Sequence, residues 1–301
     1  MNSIKKFPFE KNCLVITSSG AKSRGWLDYL DIQDYQIFDS VEPNPSMGTV
    51  EKILSEYNQT FSYVIGLGGG SSLDVAKFVA NKLKTKKILI PTTFGSGSEV
   101  TRISVLQIDG KKTSFHNDNL LADISIVDPF FIKNAPIDVI KNSAIDACAQ
   151  CSESFDSKIA NNYTKFLCKK AFKILETAIL EEEYTDLAYG AMLSGLGFGN
   201  SSTTLGHALS YVFSNEGFSH GHALAFTTTI AHKFNNSQFY ERFKKIVEHF
   251  DFKPIHLNGN LSDAAKIIQL DKKHLDNNPV DVTMENIINL LELINSEKIF
   301  R

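Results

Sequence analysis

The chain is poor in arginine, with only Arg24, Arg102, Arg242 and Arg301 among 301 residues. Its 31 basic and 34 acidic side chains leave a net charge of −3. That balance argues against a chain held on DNA or RNA by bulk charge. Cysteine is equally sparse. Cys13, Cys148, Cys151 and Cys168 are too few for a disulfide scaffold of this size, so reduced thiols and a cytoplasmic setting are expected. No apolar run approaches the ~20 residues that span a bilayer. The first ten residues carry two lysines but no long apolar stretch, so no secretory signal is read there. What is present is 43% apolar and 22% charged, enough for a packed core and for roughly two domains of ~150 residues each.

The texture changes near Pro136. Before it, short β-rich runs alternate with glycine and proline punctuation: Leu14–Thr17, Tyr35–Phe38, Tyr63–Leu67, Lys87–Ile90 and Ile124–Val127. Helical stretches from Gly48 to Tyr57 and Leu73 to Leu83 lie between them. Strands alternating with helices predict a mostly parallel sheet covered on both faces. After Pro136, apolar residues recur at helical spacing over Asp138–Phe155, Asn161–Leu180, Thr185–Gly199, Thr203–Phe213 and Met284–Ile294. The expected architecture is an α/β dinucleotide-binding domain over residues 1–136 and an all-helical domain over 137–301.

Four stretches carry chemistry. Gly66-Leu67-Gly68-Gly69-Gly70-Ser71-Ser72 follows a strand and opens a helix. Glycines let the backbone approach a ligand, and a helix N-terminus offers free N–H groups and positive dipole. Such a turn can cradle a phosphate or simply cap a helix with a serine. The Gly-Lys-Ser/Thr ending of a Walker loop is absent. Pro91-Thr92-Thr93-Phe94-Gly95-Ser96-Gly97-Ser98 follows the next strand, at the same carboxyl edge where open α/β sheets bind ligands. Asp146 and Gln150 lie four apart on one predicted helix and share a face. A buried carboxylate there needs a partner, either a metal or a cation on a neighbouring helix. Cys148 sits about 200° around the helix from Asp146, so Cys148 and Cys151 read as core thiols. The fourth stretch holds His207 and Tyr211 one turn apart in a helix, Thr203 one turn before, and then His220-Gly221-His222 in a loop. Two histidines so placed make a metal pair once Asp146 is available. His116 and His232 have no such support and read as structural or exposed.

Together these segments resemble the iron-containing (group III) alcohol dehydrogenase family. Gly68 to Lys77 matches its GGGSxxDxAK signature, Pro91 to Thr101 its PTTxGTGSEVT signature, and Val41-Glu42-Pro43-Asn44-Pro45 an upstream VxPNP stretch. The likeness covers about residues 12 to 235. It implies a dinucleotide-binding α/β domain and a helical domain, with cofactor and metal in the cleft between them. It also implies cofactor contacts from Asn44, Gly69, Gly70, Ser71, Asp74, Thr92, Thr93, Ser96 and Lys112. Asp39 closes the second strand, where an acidic side chain bonds the ribose 2′-hydroxyl and repels a 2′-phosphate. NAD is therefore expected over NADP. Members of the family are usually longer, and this chain resembles a trimmed member with a terse segment between Thr101 and Asp128.

The resemblance places Asp146, His207 and His220 at three metal-ligand positions. Gln150 stands where most members have histidine, and Tyr211 where many have another active-site histidine. Glutamine for histidine leaves the formal charge unchanged but hardens the donor set toward oxygen. The expected cation is Fe, with Zn or Mn as alternatives, and it polarises a substrate oxygen while hydride passes to or from the nicotinamide. Tyr211 is the expected proton relay beside His207. The Gln150 and Tyr211 pattern is similar to a subgroup that includes phosphonoacetaldehyde reductases. An anionic aldehyde would suit the hydroxyls of Thr203 and Thr204 at a helix N-terminus, with His222 nearby and Arg102 as a clamp. The expected activity is thus interconversion of a small aldehyde and its primary alcohol by a homo-oligomer, with no nucleic-acid or membrane partner. A non-catalytic nucleotide-binding relative and a dehydroquinate synthase-type lyase are the alternatives, the latter weakened because its GGGVxGD loop is not what Gly68 to Asp74 shows.

Overall fold

Strand β1 (Cys13–Thr17) is buried along its whole length, which requires a covering layer on each of its faces. The computed structural model supplies both layers. It describes Ile4, residues 7–133 and residues 135–296; half of the ten-residue opening stretch read for a signal, and Arg301, lie outside these. The chain divides into two units, Met1–Ala135 and Pro136–Arg301.

In the first unit β1 is followed by α1 (Trp26–Leu30), β2 (Tyr35–Phe38), α2 (Met47–Glu56), β3 (Tyr63–Gly68), α3 (Gly70–Leu83) and β4 (Lys86–Pro91). Two strands of a hairpin, β5 (Ile103–Ile108) and β6 (Lys111–His116), precede β7 (Ile124–Ser125). The main sheet has the order β2-β1-β3-β4-β7 and is parallel throughout. Leu14, Ile16, Val64 and Leu89 face one layer with Val50, Ile53, Val75 and Val79. Val15, Ile65, Ile88 and Ile90 face the other with Leu27, Leu30 and Phe131. Each such side chain, fully buried, contributes roughly 1.5–3 kcal/mol. The β3–β4 register pairs Gly68 with Pro91, so the glycine run and the Thr92–Ser98 loop leave the sheet side by side.

Two strand expectations change. Ladder pairing of β7 ends at Ser125, although Ile126 N still bonds Leu89 O at 3.0 Å. The hairpin was not anticipated. Its turn is Asp109-Gly110, both left-handed at φ 51° and 74°, the geometry whose twist matches paired strands. Buried Lys77 donates to Ile103 O at 2.7 Å, and Asp74 Oδ2 accepts from Val105 N at 2.9 Å. These signature residues therefore fasten β5 to α3.

The second unit is helical: α4 (Ile137–Asp156), α5 (Asn162–Leu180), α6 (Leu187–Ser201), α7 (Leu205–Asn215), α8 (His220–Phe234), α9 (Tyr240–Phe250), α10 (Leu261–Gln269), α11 (Lys272–Asn277) and α12 (Met284–Asn295). Helix α4 packs against α5, α6 and α8. Asn161 and Thr164 form a reciprocal cap at the start of α5, a device that contributes about 1 kcal/mol. Helix α9 buries Phe243, Ile246, Val247 and Phe250 at helical spacing. Cys148 and Cys151 are free and buried, and burial pushes the Cys151 thiol well above its ordinary value, as expected of core thiols. No helix among the described residues is long and apolar enough to cross a membrane.

His232 on α8 is 1% exposed and its Nε2 lies 2.8 Å from Ser152 Oγ. Burial, opposed by Glu153, pushes its pKa down from 6.5 to about 4. The unfolded chain takes up this proton first as pH falls. The stability gained by keeping the ring neutral is therefore complete above pH 6.5 and is lost on descending toward pH 4. The loss is of order 3 kcal/mol. Urea midpoints measured across that window are expected to fall more steeply for the wild type than for His232→Gln; parallel curves would contradict the assignment.

Candidate functional site

Helix α4 carries Asp146, Gln150 and Glu153 at i, i+4 and i+7, one stripe on one face. Helix α7 carries His207 and Tyr211 one turn apart, and His220 is the first residue of α8. The expectation of a His-Gly-His loop is corrected here, because His220 to His222 form the first turn of that helix. The missing local signal is a distant one: Asn142 Oδ1, from α4, accepts His222 N at 2.8 Å and Ser219 Oγ at 2.5 Å.

These elements bring three ligand atoms together. His207 Nε2 and His220 Nε2 each lie 3.8 Å from Asp146 Oδ1. The three donors fall within 4.8 Å of one another, the one such group among the described residues. Gln150 Nε2 donates to Asp146 Oδ1 at 3.0 Å, while Gln150 Oε1 is buried without a partner. An orphaned buried carbonyl costs roughly 1–3 kcal/mol, and it belongs to the amide that bonds Asp146, one of the three convergent donors. One carboxylate, two imidazoles and an amide oxygen suit a divalent ion of borderline hardness.

The electrostatics follow from burial. His207 is 6% exposed. Burial works against its charge, yet Glu153 and Asp146 together raise its pKa from 6.5 to about 9. Burial likewise opposes the charge on Glu153, but His207, Thr204 and His232 hold that carboxyl down at about 2. Tyr211 is pushed well above its ordinary value by burial, then by the charges of Asp271, Glu153 and Asp146. Its phenol keeps its proton at neutral pH. The Tyr211 ring stacks on His220 at 6.4 Å between centroids and stands 6.0 Å from His274.

The four residues expected to contact substrate each have partners within the protein. Arg102 is half-exposed and paired with Asp118 at 3.0 Å, so its guanidinium already has its anion. His222 sits among Phe218, Phe226 and Phe252, with Nε2 on Lys253 O at 2.6 Å. The start of α7 is not free for an anionic ligand, because Glu153 Oε2 accepts Thr204 N at 2.6 Å and Thr204 Oγ1 at 3.1 Å. Thr203 is buried beside it, and its carbonyl accepts from Asn277.

Sequence reasoning missed Glu153, although its spacing from Asp146 and Gln150 marked the same face. It also missed His274 on α11, which is buried against the His207 ring at 6.3 Å and held at Nδ1 by Asp271 Oδ2 at 2.6 Å. Nothing local marks that pair. Asn277 and Asn278 follow it and bond Ser201 O, Thr203 O and Leu205 N, tying this late segment to the start of α7.

The first unit holds the nucleotide-type cradle. Gly68 has φ 153°, a region side chains rarely adopt, and a Cβ on Gly69 would meet Thr93 Oγ1 at 3.0 Å. No side chain caps α3 at Gly69, and Gly69 and Gly70 pack closely against Thr93 and Ser96. Asp74 is engaged elsewhere: Ser98 Oγ donates to it at 2.6 Å and Val105 N at 2.9 Å. Asp39 follows β2 and lies 3.5 Å from Lys22. Asn44 turns the VxPNP stretch at φ 53°, and Lys112 stands on exposed β6 opposite Gln107.

Residues 2–129 match the family model "Iron-containing alcohol dehydrogenase", and residues 140–273 match "Fe-containing alcohol dehydrogenase family, C-terminal". Long-chain-alcohol dehydrogenase 1 of Geobacillus thermodenitrificans is 32% identical over 237 residues, covering 67% of this chain and 60% of that protein. 4-Hydroxybutyrate dehydrogenase of Clostridium kluyveri is 28% identical, covering 74% of this chain and 64% of the relative. The chain thus spans under two thirds of the length of these two relatives. Among solved structures, an iron-containing alcohol dehydrogenase of Thermotoga maritima superposes with a TM-score of 0.83 at 26% identity, covering 98% of this chain and 94% of that one. Sulfoacetaldehyde reductase of Bifidobacterium kashiwanohense, solved with NAD+, gives 0.85 at 22%, covering 95% and 91%, a likeness of fold.

Proposed function

Because this chain belongs to the iron-containing alcohol dehydrogenase family, we propose that it is a metal-dependent, nicotinamide-linked oxidoreductase interconverting a small aldehyde and its primary alcohol. The observation that carries the reading is the convergence of Asp146, His207 and His220 beside the orphaned carbonyl of Gln150.

Asp146, His207 and His220 would hold the cation, Fe first, with Zn or Mn as alternatives. Gln150 supplies the fourth donor by turning its amide over. The cation, when bound, supplies Lewis acidity toward the substrate oxygen. Tyr211, protonated at neutral pH, offers that oxygen a hydrogen bond and does not serve as a base. Aromatic faces of Tyr211 and His274 exclude water beside the ligands. The glycine cradle, with Thr92, Thr93 and Ser96, receives the cofactor's pyrophosphate on the free N–H groups of α3. Asp39 faces the adenosine ribose and favours NADH over NADPH, with Lys22 partly offsetting its charge.

The substrate is taken as a small aldehyde without a required anionic group. Arg102 and the α7 N-terminus, the two features that would recognise an anion, are both occupied from within the protein. Metal analysis of the purified chain, then a panel of short neutral and anionic aldehydes with NADH and NADPH, tests the reading. The expected result is a stoichiometric divalent ion and turnover of neutral aldehydes with NADH. No bound ion and no turnover would instead support a nucleotide-binding protein without catalysis.

A further inference from the structure

Glu153 is 1% exposed and stands seven residues after Asp146 on α4. An isolated carboxylate at that depth is strongly unfavourable unless donors surround it. Here they do. Oε2 accepts Thr204 N at 2.6 Å, Thr204 Oγ1 at 3.1 Å and His207 N at 3.4 Å. Oε1 accepts Thr228 Oγ1 at 3.0 Å and lies 3.2 Å from His207 Nδ1, a charge contact rather than an aligned hydrogen bond. One side chain from α4 thereby touches the start of α7, the ring of a ligand on α7 and a hydroxyl of α8.

We propose that Glu153 is a positioning residue for the cation site: it holds His207 by its Nδ1 edge and by the backbone that begins α7, so that Nε2 faces Asp146 and His220. The inference rests on the cation reading given above. The ring has two nitrogens, and a carboxylate against one of them decides what the other does. With the N–H at Nδ1 facing Glu153, the Nε2 lone pair is left toward the cation. The negative charge also makes the imidazole a better donor. That matters in this chain, where Gln150 supplies an amide in place of a stronger nitrogen ligand. The same carboxylate fixes the mutual placement of α4, α7 and α8, the three helices that contribute Asp146, His207 and His220. Thr204 and Thr228 are neutral partners that satisfy the remaining lone pairs.

Cobalt(II) binding to the metal-stripped full-length chain, followed by its visible d–d absorption, tests this. The wild type is expected to bind one Co2+ per chain. Glu153→Gln keeps the shape but puts a donor amide against His207, and is expected to bind Co2+ about 10–100-fold more weakly with an altered spectrum. Glu153→Asp restores the charge at a shorter reach and is expected to fall between the two. Phe243→Leu empties buried volume on α9, a helix that contributes no ligand, and is expected to lower the melting temperature while changing Co2+ affinity less than about threefold, which separates positioning from packing. Equal Co2+ affinity and spectrum in wild type and Glu153→Gln would overturn the proposal. If Glu153→Gln does not fold, Glu153→Asp with wild-type affinity and spectrum would overturn it. Failure of the wild type to bind Co2+ would overturn the cation reading itself, and the role of Glu153 with it.

Discussion

His207→Ala is expected to lower aldehyde turnover by about 10³-fold and to strip the purified chain of its divalent ion, while nicotinamide nucleotide binding persists. Lewis acidity toward the substrate oxygen is worth several kcal/mol, and each 1.36 kcal/mol is tenfold in rate. His207 contributes one of three convergent ligand atoms, and no other described residue enters that group. The fold should tolerate the change, because Thr204 and Thr228 still satisfy Glu153 once the imidazole is gone. The nucleotide cradle is built wholly from residues of the first unit. Metal content by elemental analysis and NADH binding by fluorescence check the two halves separately. Retained turnover in the variant would sink the metal assignment.

A single methyl on Gly221 is expected to do comparable damage by a different route. A Cβ there would stand 2.1 Å from Asn142 O and 2.6 Å from Asn142 C. Both atoms are backbone, so no rotamer change relieves the clash, and α8 must move off α4. Overpacking of this kind costs about 3 kcal/mol, a melting temperature lower by roughly 6–12 °C for a domain of this size. His220 is the preceding residue, so Co2+ affinity should fall with stability. Gly259→Ala is the control, since its Cβ would meet only Glu216 Oε1 at 3.8 Å. A Gly221→Ala protein that melts with the wild type would show that the two helices have slack.

Several features were legible because their signals are local. Strands β1 to β4 announced themselves as short apolar runs ended by glycine or proline. The boundaries of α4, α5 and α12 agree with the periodicity to within a residue or two. The pairing of Asp146 with Gln150 followed from helical geometry alone, and motif resemblance then placed His207 and His220 with them. The hairpin of β5 and β6 was missed even though Asp109-Gly110 is a strong turn signal, because β6, Lys111–His116, is mostly polar and exposed and carries no apolar strand signal. His274 was missed for a deeper reason. Its partner Asp271 is three residues away, but what gives the pair meaning is a ring on α7, 67 positions earlier in the chain.

The sequence by itself determined the parallel sheet, the helical second unit and the glycine-rich turn, since each depends on periodicity or on spacing within one element, and motif resemblance named the residues of the candidate cation site. Only the tertiary structure decided which groups are free to act. Arg102 is paired with Asp118 at the surface, the start of α7 is filled by Glu153, and Asp74 is engaged by Ser98 and Val105. Each of these outcomes turns on a partner brought from a different element. A buried polar group takes whichever partner packing brings within about 3 Å, and spacing along one chain segment does not encode that distance.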